Sequence, residues 1–109
     1  MGHKAPQIHY KAVSAVKNCA YDFTEELDDS EGLTGTPTVT ATGLTIDNVR
    51  INNAAVTIDG VTVAAGKAVL WRVAGGTANT TYVQDIQAST DASPAQTLRG
   101  EATLIVEAD

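Results

Sequence analysis

Apolar and polar side chains alternate along short segments of this chain, and glycine, asparagine and aspartate separate the segments. The clearest segment holds Val69, Trp71 and Val73 at alternate positions, and a Gly-Gly pair follows it. Because successive side chains of a strand point to opposite faces, these three residues share one face. The pattern predicts a strand with Trp71 as the main core residue, then a polar loop, then a strand that starts at Tyr82.

A hairpin is the most local signal in the sequence. Ala55–Ile58 and Val61–Val63 are rich in β-branched residues, and Asp59-Gly60 lies between them. An Asp-Gly pair between two such runs is typical of a two-residue type I′ turn.

The same alternation predicts the remaining strands at residues 8–14, 17–27, 36–42, 44–46, 49–51, 82–90 and 97–107. In the first strand we assign Ile8, Tyr10 and Ala12 to one side. Residues 12–20 also permit a helix because of their alanines, but the neighbouring Tyr, Phe and Thr favour a strand. Pro37 is expected at the start of its strand, and Gly100 interrupts the last strand as a bulge. About seven or eight strands with frequent turns are typical of an all-β sandwich.

Size and composition narrow the class of protein. A chain of 109 residues makes one domain, which we assign to residues 8–109, with residues 1–7 as a flexible leader. The net charge of −6 argues against nucleic acid and anionic membranes as partners. The start of the chain lacks the apolar run of a signal peptide, and no run is long enough for a membrane span. The single Cys19 excludes an internal disulfide and is expected as a buried thiol.

The most acidic segment lies between residues 25 and 31 and carries five carboxylates. We interpret it as a mobile, solvated connection with one helical turn around Leu27. A calcium loop is the alternative, but the alternating ligands and central glycine of an EF-hand are absent.

Residues with catalytic chemistry do not form a recognisable set. His3 and His9 lack partners at zinc-ligand spacing, and no histidine follows the serines to act as their base. Asp85 and Glu101 could form a glycosidase-like carboxylate pair, but surface charges on neighbouring strands are the favoured interpretation. Gly75-Gly-Thr77 lacks the Gly-Lys-Ser/Thr of a phosphate loop. We therefore predict no catalytic, cofactor-binding or metal-binding residues and no enzyme activity.

Tyr82 follows a polar loop and begins a strand. This position matches a tyrosine corner, in which the phenolic hydroxyl forms a hydrogen bond with the backbone a few residues upstream. We expect a structural role for Tyr82.

Four segments together resemble a known family: Tyr21-Asp-Phe23, Gly43-Leu-Thr-Ile-Asp47, Ala68-Val-Leu-Trp71 and Gly75-Gly-Thr-Ala-Asn-Thr-Thr-Tyr82. Their order resembles the small immunoglobulin-like proteins encoded among the virion genes of tailed bacteriophages and prophages, some of them called fiber-tail adaptors. The resemblance spans residues 17–107, and Gly-Gly-Thr-Ala is its most specific part. Asn79 stands where members often have glycine, and Gln84 replaces an apolar residue.

The resemblance implies an immunoglobulin-like β-sandwich of about seven or eight antiparallel strands. It also implies a non-enzymatic adaptor in tail, neck or capsid, made in the bacterial cytoplasm and located in the virion. The expected partners are other virion proteins and further copies of the chain, joined through strand edges or loops. The alternative is an immunoglobulin-like module of a bacterial surface protein that contacts glycan or host protein.

Overall fold

The computed structural model describes residues 7–28, 30–58 and 60–109. These residues form nine strands and a short 3₁₀ turn at Thr24–Glu26. The strands are β1 (Gln7–Ala12), β2 (Lys17–Asp22), β3 (Leu33–Thr40), β4 (Leu44–Ile51), β5 (Val56–Ile58), β6 (Val61–Val63), β7 (Ala68–Gly75), β8 (Thr80–Thr90) and β9 (Thr97–Glu107). The prediction of an all-β chain is confirmed, and residues 12–20 contain no helix.

Two sheets form an immunoglobulin-like sandwich, as predicted. One has the strand order β1-β9-β8-β3 and the other β2-β7-β4, while β5 and β6 form a separate hairpin. These sheets match the two sheets of an immunoglobulin domain, with β2, β7 and β4 in one and β3, β8 and β9 in the other. Strand pairing is antiparallel, as predicted, except between β1 and β9, which run parallel. A parallel pair needs a long connection, and nearly the whole chain lies between these two strands.

The core forms where the two sheets face each other. Val69, Trp71 and Val73 are each 0% exposed, which confirms the predicted inward face of β7. Leu104 and Val106 of β9 are equally buried, and so is Gln84 of β8. The Trp71 indole Nε1–H donates a hydrogen bond of 2.9 Å to Oε1 of Gln84, so one buried polar contact links β7 to β8.

Ile8 and Tyr10 share one side of β1, as predicted, and this side faces outward. Ile8 and Tyr10 are 55% and 52% exposed, whereas Lys11 is 3% exposed. The parallel register explains this orientation, because Lys11 lies opposite the buried Val106 and opposed residues share a face. The Lys11 ammonium donates hydrogen bonds to the carbonyl oxygens of Ala12 and Val13 at 2.7 and 3.0 Å, which satisfies the buried charge.

Gly100 is not a bulge. The register between β8 and β9 is continuous, with Gly100 opposite Ile86. A Cβ atom on Gly100 would clash with the ring of Tyr21, so the glycine makes room for an aromatic ring from the other sheet.

Irregular pairing occurs instead at two other strands. In β3 the register shifts between Thr34 and Thr38, and Pro37 lies within this interval. Pro37 is therefore inside β3 and not at its start, and its missing N–H falls where the ladder is already interrupted. In β4 the register shifts between Asp47 and Arg50.

The acidic connection both starts and ends earlier than expected, because β2 ends at Asp22, not Leu27, and β3 begins at Leu33. The predicted helical turn is present immediately before Leu27, whose side chain is buried. Lys67 Nζ donates hydrogen bonds to the carbonyl oxygens of Asp28 and Glu31, the former at 3.2 Å. Asp29 of this segment lies outside the described residues.

The predicted hairpin and tyrosine corner are both present. Ile58 pairs with Val61, which leaves a two-residue loop whose first residue, Asp59, lies outside the described residues. The Thr77 backbone N–H donates a 2.8 Å hydrogen bond to the Tyr82 hydroxyl, five positions along the chain. Interaction with the side chain and the backbone N–H of Thr77 lowers the pKa of Tyr82.

Candidate interaction surface

Each edge of the two sheets carries a feature that hinders strand addition. The edge strand β1 has the inward-pointing Lys11, and β3 has Pro37 and a register shift. The edge strand β4 has a register shift at Asn48, whose φ is 55°. The fourth edge, β2, is contacted by β5 of the hairpin. Inward charges, proline and irregular pairing all discourage edge-to-edge pairing, so the faces of the sheets are the more accessible surfaces.

The outer face of the four-stranded sheet is apolar at one end. Strand register places Ile8, Thr103 and Val83 in one row across β1, β9 and β8. A second row runs beside it through Tyr10, Ile105 and Thr81. Ile8, Tyr10 and Val83 are each more than half exposed. We call this surface the apolar face (Ile8, Tyr10, Thr81, Val83, Thr103 and Ile105). Contiguous exposed apolar residues on a small domain mark interaction sites more often than isolated ones do.

The next row along β8 and β9 is acidic. Asp85 and Glu101 are exposed and lie directly opposite each other. Like charges in directly opposed strand positions destabilise a sheet. Arg99 is the one basic residue at an outward position of β8 and β9, and among the described residues no ion pair joins it to either carboxylate. We call Asp85 and Glu101 the acidic pair.

A second surface has the opposite charge. A cleft of about 370 Å³ is lined by residues from β1, β2, β4, β5 and β7. Its apolar side chains include Val56, Ile58 and Leu70, its cationic side chains are Lys17 and Arg50, and no carboxylate of the described residues lines it. Among the described residues neither cation forms an ion pair. We call this surface the basic cleft.

Besides the basic cleft, a concavity of about 510 Å³ lies beside Tyr82. Its lining includes Thr40, Thr42 and Thr81, together with Asp85. It therefore presents hydroxyl groups, one aromatic ring and one carboxylate at the margin of the apolar face.

Among the residues considered for catalysis, the structure brings together Asp85 and Glu101, which face each other across β8 and β9. His9 packs edge-on against Trp71, with ring centroids 6.1 Å apart. Asp85 and Glu101 are neighbours on adjacent strands, as expected of surface charges. Within residues 7–28, 30–58 and 60–109, no three His, Cys, Asp or Glu side chains are close enough to hold a metal ion. His3 lies outside these residues.

Cys19 is buried and unbridged, as predicted. Desolvation by burial raises the pKa of its thiol to about 11, and the nearby Lys17 offsets this only in part. Because the thiolate is the nucleophilic form, burial and the raised pKa both disfavour reaction of Cys19 at neutral pH.

Alternation placed Ile8 and Tyr10 on one side of the first strand, and the register with β9 turns that side outward. Val83 and Ile105 were the sequence signal for the apolar face. Both are apolar residues at outward positions of predicted strands, and exposed apolar residues that cluster mark interaction sites.

None of the helical segments in the described residues is long and apolar enough to cross a membrane. Comparison with protein-family models, with curated proteins and with solved structures finds no match to this chain.

Proposed function

We propose that this chain is a non-enzymatic structural protein of a bacteriophage or prophage virion. It acts as an immunoglobulin-like adaptor that makes protein–protein contacts in the tail, neck or capsid. The observation that carries this proposal is the apolar face, where three apolar side chains are more than half exposed on one sheet. A partner protein that covers this face would bury them.

Two further features support an adaptor. The sandwich has hindered edges, which keep a free copy from pairing indiscriminately through its backbone before assembly. The net charge of −6 favours solubility of the unassembled protein. The resemblance of Gly75-Gly-Thr-Ala and its neighbouring motifs to virion proteins supplies the biological setting.

The direct test is the composition of purified particles. We expect the protein at a fixed stoichiometry in particles purified by density gradient from a strain that carries its gene, detected by mass spectrometry and by gold-labelled antibody. A matched strain with Tyr10→Ser and Val83→Ser should express folded protein that is lost from the particles. Absence of the wild-type protein from intact particles would refute the virion assignment.

The concavity beside Tyr82 favours one alternative, a surface module that contacts glycan. Threonine hydroxyls, an aromatic ring and a carboxylate are groups that bind sugars. Saturable binding of an oligosaccharide, abolished by Tyr82→Ala in a protein that still folds, would support this alternative over the virion role.

A further inference from the structure

We propose that the apolar face of one copy binds the basic cleft of a second copy, so that the chain assembles head to tail. This inference rests on the proposed structural role and names the partner. It is carried by the complementarity of two surfaces on the same molecule, each of which joins apolar side chains to charges of one sign.

The acidic pair is the charged part of the first surface. Asp85 and Glu101 lie side by side, and in the described part of the chain no ion pair joins either carboxylate to a cation, so a cationic partner would relieve their repulsion. The adjacent row carries Val83, which places apolar area directly beside the carboxylates. The face therefore fits a partner with apolar and basic groups.

The basic cleft supplies those groups. Lys17 and Arg50 bring two cations to a concavity that also contains Val56, Ile58 and Leu70. Arg50 donates one hydrogen bond to the carbonyl oxygen of Asn48 at 2.8 Å, and a guanidinium has five N–H donors. Its remaining donors can bind a carboxylate of the neighbouring copy.

The arrangement of the two surfaces determines the type of assembly. The apolar face lies on the outside of the four-stranded sheet, whereas the basic cleft is built mainly from the three-stranded sheet and the hairpin. Each copy can therefore bind one neighbour through each surface. Such heterologous contacts produce closed rings or open filaments, in contrast to the closed dimer of an isologous contact.

Charge reversal on each surface tests the proposal. The first variant is Asp85→Lys with Glu101→Lys, and the second is Lys17→Glu with Arg50→Glu. We expect wild-type protein to associate with rising concentration in sedimentation velocity. Each variant alone should associate at least about tenfold more weakly, because like charges then meet at the contact. An equimolar mixture of the two variants should regain association, because each reversed surface finds its complement.

The controls separate this contact from general charge effects and from misfolding. Glu25→Lys with Asp28→Lys changes the net charge equally but lies in the acidic connection, and it should associate no more weakly than the wild type. Recovery in the mixture shows that both variants fold, and a chain carrying all four reversals should associate by itself. Raising the ionic strength from about 0.1 M to about 1 M shortens the screening length from about 10 Å to about 3 Å and should weaken association.

Two results would overturn the proposal. If reversal of the acidic pair abolishes association and reversal of the cleft does not, the contact is not between these two surfaces. If the wild type stays monomeric at every concentration, the second copy is not the partner. In that case, binding of a protein encoded by a neighbouring gene, lost with Tyr10→Ser and Val83→Ser, would leave the proposed structural function standing.

Discussion

The indole N–H of Trp71 and the side-chain oxygen of Gln84 form a 2.9 Å hydrogen bond that joins the two sheets through the core. Both residues are 0% exposed. Gln84 lies two residues after the tyrosine-corner residue Tyr82, where antibody domains carry the second cysteine of their inter-sheet disulfide. In this chain a polar pair therefore occupies the region that a disulfide spans in those domains.

The Trp71–Gln84 pair should show strong energetic coupling. Gln84→Leu leaves the buried indole N–H unsatisfied and is expected to cost about 1–3 kcal/mol of unfolding free energy. Trp71→Phe with Gln84→Leu removes both partners, so it should cost less than the sum of the single changes. Denaturant titration of the wild type, Trp71→Phe, Gln84→Leu and the double variant measures the coupling energy. Strict additivity of the free-energy changes would show that the hydrogen bond contributes little.

Trp71 itself should be the largest single contributor to the core. Trp71→Ala is expected to cost about 3–5 kcal/mol, because it leaves a cavity between the sheets. In the wild type, Trp71 fluorescence should be blue-shifted and poorly quenched by iodide. A solvent-like emission maximum in folded protein would contradict its burial.

Gly100 should not tolerate a side chain. Gly100→Ala places a methyl group against the Tyr21 ring and is expected to destabilise the protein by about 1–3 kcal/mol. Gly32→Ala is the matched control, because the nearest atoms to its Cβ would lie at 3.6 Å, an ordinary contact distance. Thermal unfolding compares the two, and equal melting temperatures would mean that the Tyr21 ring moves aside freely.

Cys19 should make stability depend on pH in the alkaline range. Its pKa is raised from 9.0 to about 11 in the folded protein, so above pH 9 the unfolded chain loses this proton first. The free energy of unfolding should therefore fall between pH 9 and pH 11 as ionisation favours the unfolded state. Cys19→Ala lacks this titration, so the wild type should lose stability relative to the variant across that window. A constant difference between the two proteins would refute the shift.

The order of the acidic connection should depend on Lys67 and not on calcium. Calcium or a chelator should leave the melting temperature unchanged, since a native-state ligand would raise it by mass action. Lys67→Met removes the donor to the carbonyl oxygens of Asp28 and Glu31 and should speed amide hydrogen exchange at residues 25–32. A rise of several degrees with calcium would restore the ion-site interpretation.

The alternation of apolar and polar residues was sufficient to predict a feature wherever that feature depends only on nearby side chains. Val69, Trp71 and Val73 are apolar enough to require burial wherever β7 lies, and Asp59-Gly60 limits the hairpin to a two-residue loop. The corner at Tyr82 was also predictable, because its hydrogen bond reaches only to Thr77. These features depend on contacts within a few residues or on hydrophobicity alone.

Tertiary structure decided the features that depend on distant strands. Alternation places Ile8 and Tyr10 on one side of β1, but only the parallel register with β9 decides that this side faces outward and that Lys11 is buried. Gly100 looks like a bulge until the Tyr21 ring is placed above it. The acidic pair also depends on tertiary structure, because Asp85 lies next to Glu101 only through the pairing of β8 with β9. The sequence by itself determined which segments become strands, but register between segments far apart in the chain determined what each face presents, since a one-residue shift reverses every side chain.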